Sequence, residues 1–233
     1  MIRYCTVANN VSGVADWDGG MMTIKNSIIF NNGDYGDPQV SVYGGGTLDI
    51  SYCDIQGGLE GIESDANVIW GLGNIDTDPS FVRLGYSAGT LLVEGNYHLR
   101  SNGWRLSEYS LDWVYADVTS RRVDGGNPGS TPDNELLMML PEDPNNDRGV
   151  NLRVNMGAYS ATNQASIAPY GWALLADLSN DGVVDHVDLA GQVESWLTSA
   201  GEQPGDLRRD GIVDMMDFAA LANDWSQITA WAQ

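Results

Sequence analysis

The sequence is short of cations, thiols and long apolar runs. It holds one lysine, Lys25, and two histidines, and its 11 basic side chains face 32 acidic ones for a formal net charge of −21. So few cations cannot neutralise a phosphate backbone, which excludes nucleic acid as a partner. Two cysteines, Cys5 and Cys53, cannot form a disulfide framework. No hydrophobic run approaches the length of a membrane span, and the Met1 end reads as neither a signal nor a transit peptide. What is abundant is glycine, 28 of 233 residues, against 3 phenylalanines. That balance resembles an extracellular or cell-surface all-β protein more than a helical enzyme, and the net charge of −21 suits a calcium-containing medium. The length allows one large or two modest domains.

The first sixty residues repeat. Ile2, Cys5, Val7, Asn9 and Asn10 fall on Ile24, Ser27, Ile29, Asn31 and Asn32. Gly19, Gly20, Met22, Ile24, Ser27 and Ile29 fall in turn on Gly45, Gly46, Leu48, Ile50, Cys53 and Ile55. The matching positions are small or aliphatic and the residues between them polar, the alternation of a strand with one buried face. Repeats of this length with Asn and Gly turns predict a parallel β-helix. Coils about 4.8 Å apart would stack Ile2/Ile24/Ile50, Cys5/Ser27/Cys53 and Val7/Ile29/Ile55 as inward columns. Cys5 and Cys53, two coils apart, would then be about 10 Å from each other, beyond the ~7 Å reach of a disulfide. Both are expected to be free, buried and inert. Met1 runs straight into a strand with no polar cap, so the coils are expected to be the tail of a longer solenoid.

After Val68 the pattern loosens into "GNIDTDPSFV" (73–82), "GNYHL" (95–99), "VDGGNPGS" (123–130) and "VNMGAYSATNQAS" (154–166). This succession resembles the C-terminal end of the right-handed β-helix proteins of bacterial extracellular and polysaccharide-degrading systems, over residues 2–161. In that group such phrases close the solenoid, and "VDGGNPGS" would be a turn-rich cap in which Gly permits positive φ and Pro fixes φ. The resemblance also implies chemistry on an outer face, by carboxylates that hold calcium or act as acid and base, or by Lys or Arg abstracting a proton. Arg3 and Lys25, register neighbours pointing outward, are the candidates for proton abstraction. Trp17 and Tyr35, in loops beside Asp16, Asp18, Asp34 and Asp37, are candidate sugar platforms. The plainer reading is of solvated loops with single exposed aromatics. "GYSAG" (85–89) fits G-x-S-x-G, yet that motif works only on a strand-to-helix turn with a His and an acid beside the serine. Here 90–93 reads as strand, and the histidines are His98 and His186. No complete catalytic constellation is present.

The acidic side chains are concentrated near the C-terminus. "DLSNDGVVDHVD", from Asp177, aligns with "DLRRDGIVDMMD", from Asp206. Aspartate recurs at the first, fifth, ninth and twelfth places: Asp177, Asp181, Asp185 and Asp188, then Asp206, Asp210, Asp214 and Asp217. Gly182 and Gly211 hold the sixth. This is the pattern of a twelve-residue EF-hand calcium loop, with a glycine for the sharp turn and a backbone carbonyl at the seventh place, here Val183 and Ile212. Without a cation the like charges should push the segment toward disorder. At the third place Ser179 offers an oxygen, whereas Arg208 cannot ligate and adds positive charge. The second of two Ca²⁺ sites is therefore expected to be weaker, or to use a water there. Each loop leads into an apolar helix, with Leu189, Val193, Trp196 and Leu197 on one face of the first and Phe218, Leu221, Ala222 and Trp225 on one face of the second.

Duplicated loop-helix units ending in Asp resemble a type I dockerin module, over residues 176–225. In that family the module plugs enzymes into cohesin-bearing scaffolds, and the tenth and eleventh loop places, often Ser-Thr, help select the partner. Here those places hold His186 and Val187, then Met215 and Met216, and the basic pair often found later in the helix is replaced by Val193-Glu194 and Ala222-Asn223. The departures point to a cohesin-like or other surface receptor of different chemistry, or to the chain's own β-helix, as the partner. Tyr170 or Trp172 could meet Trp231 and clasp the module's ends.

The sequence thus predicts a mostly β chain: the last coils and cap of a right-handed parallel β-helix over 1–160, a linker over 161–168, and a small all-α dockerin-like module over 169–233. The expected function is calcium-dependent attachment within an extracellular, polysaccharide-degrading or cell-surface system, with polysaccharide a further possible partner. The alternatives are a fragment of a polysaccharide lyase or glycosidase with its cleft on the β-helix, and a non-catalytic structural surface protein.

Overall fold

The computed structural model describes residues 1–33, 36–88, 91–135, 149–199 and 201–233. Strands β1 (Ile2–Arg3), β2 (Thr6–Ala8) and β3 (Val14–Asp16) form a first coil. Strands β4 (Met21–Lys25), β5 (Ile28–Phe30) and β6 (Val40–Val42) form a second, and β7 (Thr47–Ser51), β8 (Asp54–Ile55) and β9 (Ile62–Ser64) a third. Strand β10 (Asn67–Trp70) adds a last rung to the first sheet. Each strand pairs in parallel with its equivalent on the next coil, giving the sheets β1-β4-β7-β10, β2-β5-β8 and β3-β6-β9. The result is a β-solenoid of about three turns.

The columns stack as the repeat implies, with Ile2 opposite Ile24 and Ile24 opposite Ile50. Val7 likewise lies opposite Ile29, and Ile29 opposite Ile55. Because side chains alternate across a strand, these positions share one interior. Ile24, Ile29, Val40, Val42, Leu48, Ile50, Cys53 and Ile55 are all fully buried in it. Each such aliphatic side chain contributes about 1.5–3 kcal/mol by leaving water. The bend after the first strand of each coil is made by Tyr4, Asn26 and Tyr52, all with left-handed φ (53°, 49° and 53°). Their N–H groups donate to the next rung, at Lys25, Ser51 and Leu72 carbonyls. Both cysteines are free, as the coil spacing requires. Cys53 is fully buried, and burial pushes its thiol up to about 12. Cys5 departs from expectation: it is only half-buried, because it sits on the outermost described coil with a neighbour on one side alone.

Beyond the coils, β11 (Phe81–Arg83) pairs antiparallel with β14 (Asn96–Leu99), and between them β12 (Tyr86–Ala88) and β13 (Leu91–Val93) form a hairpin arm. A smaller hairpin joins β15 (Arg105–Leu106) to β16 (Trp113–Val114). The segment predicted to cap the solenoid covers its flank. Ile28 and Tyr52, outside the inner core, are buried against Val123, Met156 and Ala168. Asn127 N–H donates to Asn26 Oδ1 at 2.9 Å and Gly157 N–H to Asn26 O at 2.9 Å. Ile28 supplies the reason: it alternates with inward-facing Ile29, points out of the coil, and needs an apolar cover. Arg122, fully buried, fastens this cover to the third coil through Asp54 Oδ2, 2.7 Å from its Nε. It also donates to Asp78 O at 2.7 Å.

Residues 165–168, within the predicted linker, are buried, and Ile167 makes an antiparallel bridge with Trp104. Two nine-residue helices follow, α1 (His186–Glu194) and α2 (Met215–Asn223). Their small core joins Ala176, Leu178, Val184, Leu207 and Leu221 to Leu72 of the solenoid. The predicted apolar face of the first helix is met in part: Leu189 packs on the core and Trp196 is half-buried, but Val193 and Leu197 are exposed, while Asp188, Gly191 and Gln192 are buried. The cause is close approach, since a Cβ at Gly191 would fall 2.5 Å from the Leu72 side chain. In α2, Leu221 is buried as expected but Trp225 is exposed. No described helix is long and apolar enough to cross a membrane.

Candidate functional site

The two acidic turns share one hydrogen-bond frame. In the first, Gly182 N–H donates to Asp177 Oδ2 at 3.1 Å, Val183 N–H to Asp181 Oδ1 at 2.9 Å, and Val187 N–H to Asp185 Oδ1 at 2.8 Å. Asp188 accepts from Ser179 N–H at 2.9 Å and Asp185 N–H at 2.8 Å. The second turn repeats this: Gly211 to Asp206 at 2.8 Å, Ile212 to Asp210 at 3.3 Å, and Met216 to Asp214 at 2.7 Å. Asp217 accepts from Arg208 N–H at 3.0 Å and Asp214 N–H at 2.9 Å. Gly182 and Gly211 carry φ of 98° and 95°, a region that L side chains rarely adopt. Asp185 and Asp214 cap the helices, with Asp188 and Asp217 closing each capping box.

The twelfth-place carboxylates are therefore structural before they are anything else: each pins its loop to its helix. Asp177, Asp188, Asp206 and Asp217 are all buried. Burial is the main force raising Asp177 to about 6, opposed by the Arg153 guanidinium and reinforced by the charges of Asp188 and Asp181. Asp188 is likewise raised, chiefly by burial, against the N–H groups of Asp185 and Ser179.

The donor set of the first turn suits a hard cation. It offers four carboxylates and the Ser179 hydroxyl, which lies 3.3 Å from Asp177 Oδ1. Buried like charges are the condition that a bound divalent ion relieves. Among the described residues, no three His, Cys, Asp or Glu side chains are placed to hold a metal ion as they stand. The carboxylate oxygens are turned onto their own backbone N–H groups. The second turn differs in charge: the Arg208 guanidinium pairs with Asp210 at 3.1 Å, a built-in cation beside the fifth-place carboxylate.

The loop-helix unit is bound to the flank cover, and at Gly73 to the end of the solenoid, by polar contacts that local sequence did not signal. Arg153, fully buried, donates through Nη1 to Asp177 O at 2.7 Å and through Nη2 to Gly126 O at 2.6 Å. Asn180 Nδ2 donates to Gly73 O and Gly125 O, both at 2.8 Å. Arg121 donates to Asn180 O at 3.0 Å and lies 3.9 Å from the centroid of the Trp231 ring. Arg209 reaches Pro128 O at 2.8 Å and Leu152 O at 2.6 Å. The ends of the unit meet through Ala230 N–H donating to Gly171 O at 3.0 Å, while Trp231 lies against Arg121.

The other sequence candidates do not assemble into one site. Arg3 and Lys25 are register partners, but the Arg3 guanidinium pairs with Glu202 and donates to Tyr4 Oη at 2.7 Å. Trp17 is exposed and stacks on Tyr43, ring centroids 4.6 Å apart. Tyr35, together with Gly89 of the G-x-S-x-G match, lies outside the described residues. At the starts of the helices His186, Val187, Met215 and Met216 are exposed.

No protein-family model matches the chain, and comparisons with curated proteins and with solved structures find no significant match.

Proposed function

We propose that residues 169–233 form a calcium-binding, dockerin-like attachment module carried by an extracellular β-solenoid of a polysaccharide-degrading or cell-surface system. The observation that carries this reading is the duplicated frame: four aspartates at the same spacing in both turns, a glycine at positive φ, and the same five backbone bonds, twice. Ca²⁺ in the first turn would be held by Asp177, Ser179, Asp181, the Val183 carbonyl, Asp185 and Asp188, and would supply the countercharge that the buried carboxylates lack. In the second, Asp206, Asp210, the Ile212 carbonyl, Asp214 and Asp217 are available, with Arg208 competing. The exposed residues His186, Val187, Met215 and Met216 begin both helices and offer an apolar surface to a cohesin-like or other receptor.

A structural role for the module gains support from its contacts to the flank cover through Arg153 and Arg209 and to the end of the solenoid through Asn180. These involve the opposite ends of the loops from the exposed methionines, so one module can brace the solenoid and still present a face. The lyase reading is weakened, because the Arg3 guanidinium is engaged by Glu202.

Calcium titration of the whole chain by calorimetry tests the proposal. One strong event is expected, abolished by Asp188→Ala, and Arg208→Ser should add or strengthen a second. Absence of heat at millimolar Ca²⁺ would overturn the metal reading. If calcium binds but no cell-surface fraction retains the protein in a calcium-dependent, Met215- and Met216-dependent way, attachment fails and bracing stands.

A further inference from the structure

A groove separate from the acidic turns lies between the solenoid corner and the hairpin arm. Two adjoining cavities of 590 and 290 Å³ share Asn9, Asn10, Gly85 and Tyr86 as lining. Their combined space falls within the ~300–1,000 Å³ of ordinary ligand sites. One wall is a ladder of side-chain amides built by the coil repeat. Asn31 Nδ2 donates to Asn9 Oδ1, and Asn10 Nδ2 to Asn32 Oδ1 at 3.0 Å. The Asn9 and Asn31 backbones are held in the left-handed region (57° and 55°), which turns both side chains out of the coil at the corner. An amide has two donors and two acceptor lone pairs, more than the ladder bonds consume.

The other wall is the base of the arm. Tyr97 is oriented by an edge contact with Phe81, centroids 5.2 Å apart, and accepts from Asn9 Nδ2 at 3.4 Å. Tyr86 is 55 % exposed, an aromatic face beside the amides. Among the described residues that line the two cavities, Glu94 is the one charged side chain, and it is acidic. Neutral donors and acceptors in a repeating row, facing one exposed and one half-buried aromatic ring, suit a ligand whose hydroxyls alternate with apolar faces. The lone carboxylate and the chain's net charge of −21 disfavour an anion.

We propose that this groove binds a neutral oligosaccharide chain, with Tyr86 as stacking platform and Asn9 and Asn31 as hydroxyl partners. The site is independent of the calcium-binding reading and of the Trp17 corner.

Calorimetry of the full chain with cello-, xylo- and manno-oligosaccharides, and with oligogalacturonate as the charged counterpart, tests it in chelator so that the acidic turns do not contribute. At least one neutral chain is expected to bind better than oligogalacturonate. Tyr86→Ala and Asn31→Ala should each weaken it by about tenfold, with unchanged circular dichroism, and Trp17→Ala should leave it unaltered. Binding of none of the three neutral ligands, preference for oligogalacturonate, or affinity indifferent to Tyr86→Ala would overturn the assignment.

Discussion

Asp124 shows what burial does to a single carboxyl in this acidic chain. It accepts the N–H groups of Leu152 at 3.0 Å and Arg153 at 3.2 Å, yet desolvation outweighs them and pushes it up to about 7 from 3.8. Glu135, buried nearby, is raised for the same reason. A folded value above the unfolded one means that the group's contribution is complete below the unfolded value and is lost as pH rises through the folded value. The protein in chelator should therefore lose thermal stability as pH rises from 3.8 to about 7. The carboxyl ¹³C shift of Asp124 should titrate near 7, and a midpoint near 4 would mean that the hydrogen bonds and Arg153 prevail over burial.

Among the elements, the two acidic turns form a natural comparison, since they differ in what surrounds the same glycine. At Gly211 an added Cβ meets nothing within 4 Å, whereas at Gly182 it falls 2.6 Å from Trp231 and Ala232 atoms. Gly211→Ala should cost about 1 kcal/mol, from positive φ alone, and Gly182→Ala about 2–3 kcal/mol. Chemical denaturation measures both, and equal losses would mean that the Trp231 segment yields without resistance. The same turns show which features are legible in sequence. Loop spacing is local, so Asp177 to Asp188 could be read as one frame. Coil columns such as Ile2/Ile24/Ile50 were legible because identical environments recur at a near-constant period. The flank cover was not, because Arg122 finds Asp54 across 68 positions of chain, and no periodicity carries such a pair. The apolar face assigned to the first helix held at Leu189 but not at Val193 for a related reason: Gly191 lies close to Leu72, a neighbour that helical spacing cannot reveal. The amide ladder repeated visibly as Asn9-Asn10 and Asn31-Asn32, but the hairpin arm that makes it a groove left no pattern.

Taken whole, the molecule is held together by guanidinium groups that bridge segments distant in sequence. Arg153 joins the cover to the loop-helix unit, donating to Gly126 O from Nε at 2.8 Å as well as to Asp177 O. Arg153→Met would fill the space but leave buried carbonyls unpaired, at a cost of about 3 kcal/mol. Denaturation followed by tryptophan fluorescence should then split, the loop-helix unit unfolding before the coils. A single transition at the wild-type midpoint would show that Arg153 is dispensable to the junction. Arg3 extends the same bracing to the first coil through Glu202, so the unit holds the stack at its first coil and, through Asn180 and Gly73, just past its last rung. A pull applied through the exposed ends of α1 and α2 would then be shared among contacts to the first coil, to the end of the stack and to the flank cover. In the proposed attachment role, load entering at the module would pass to more than one part of the fold at once.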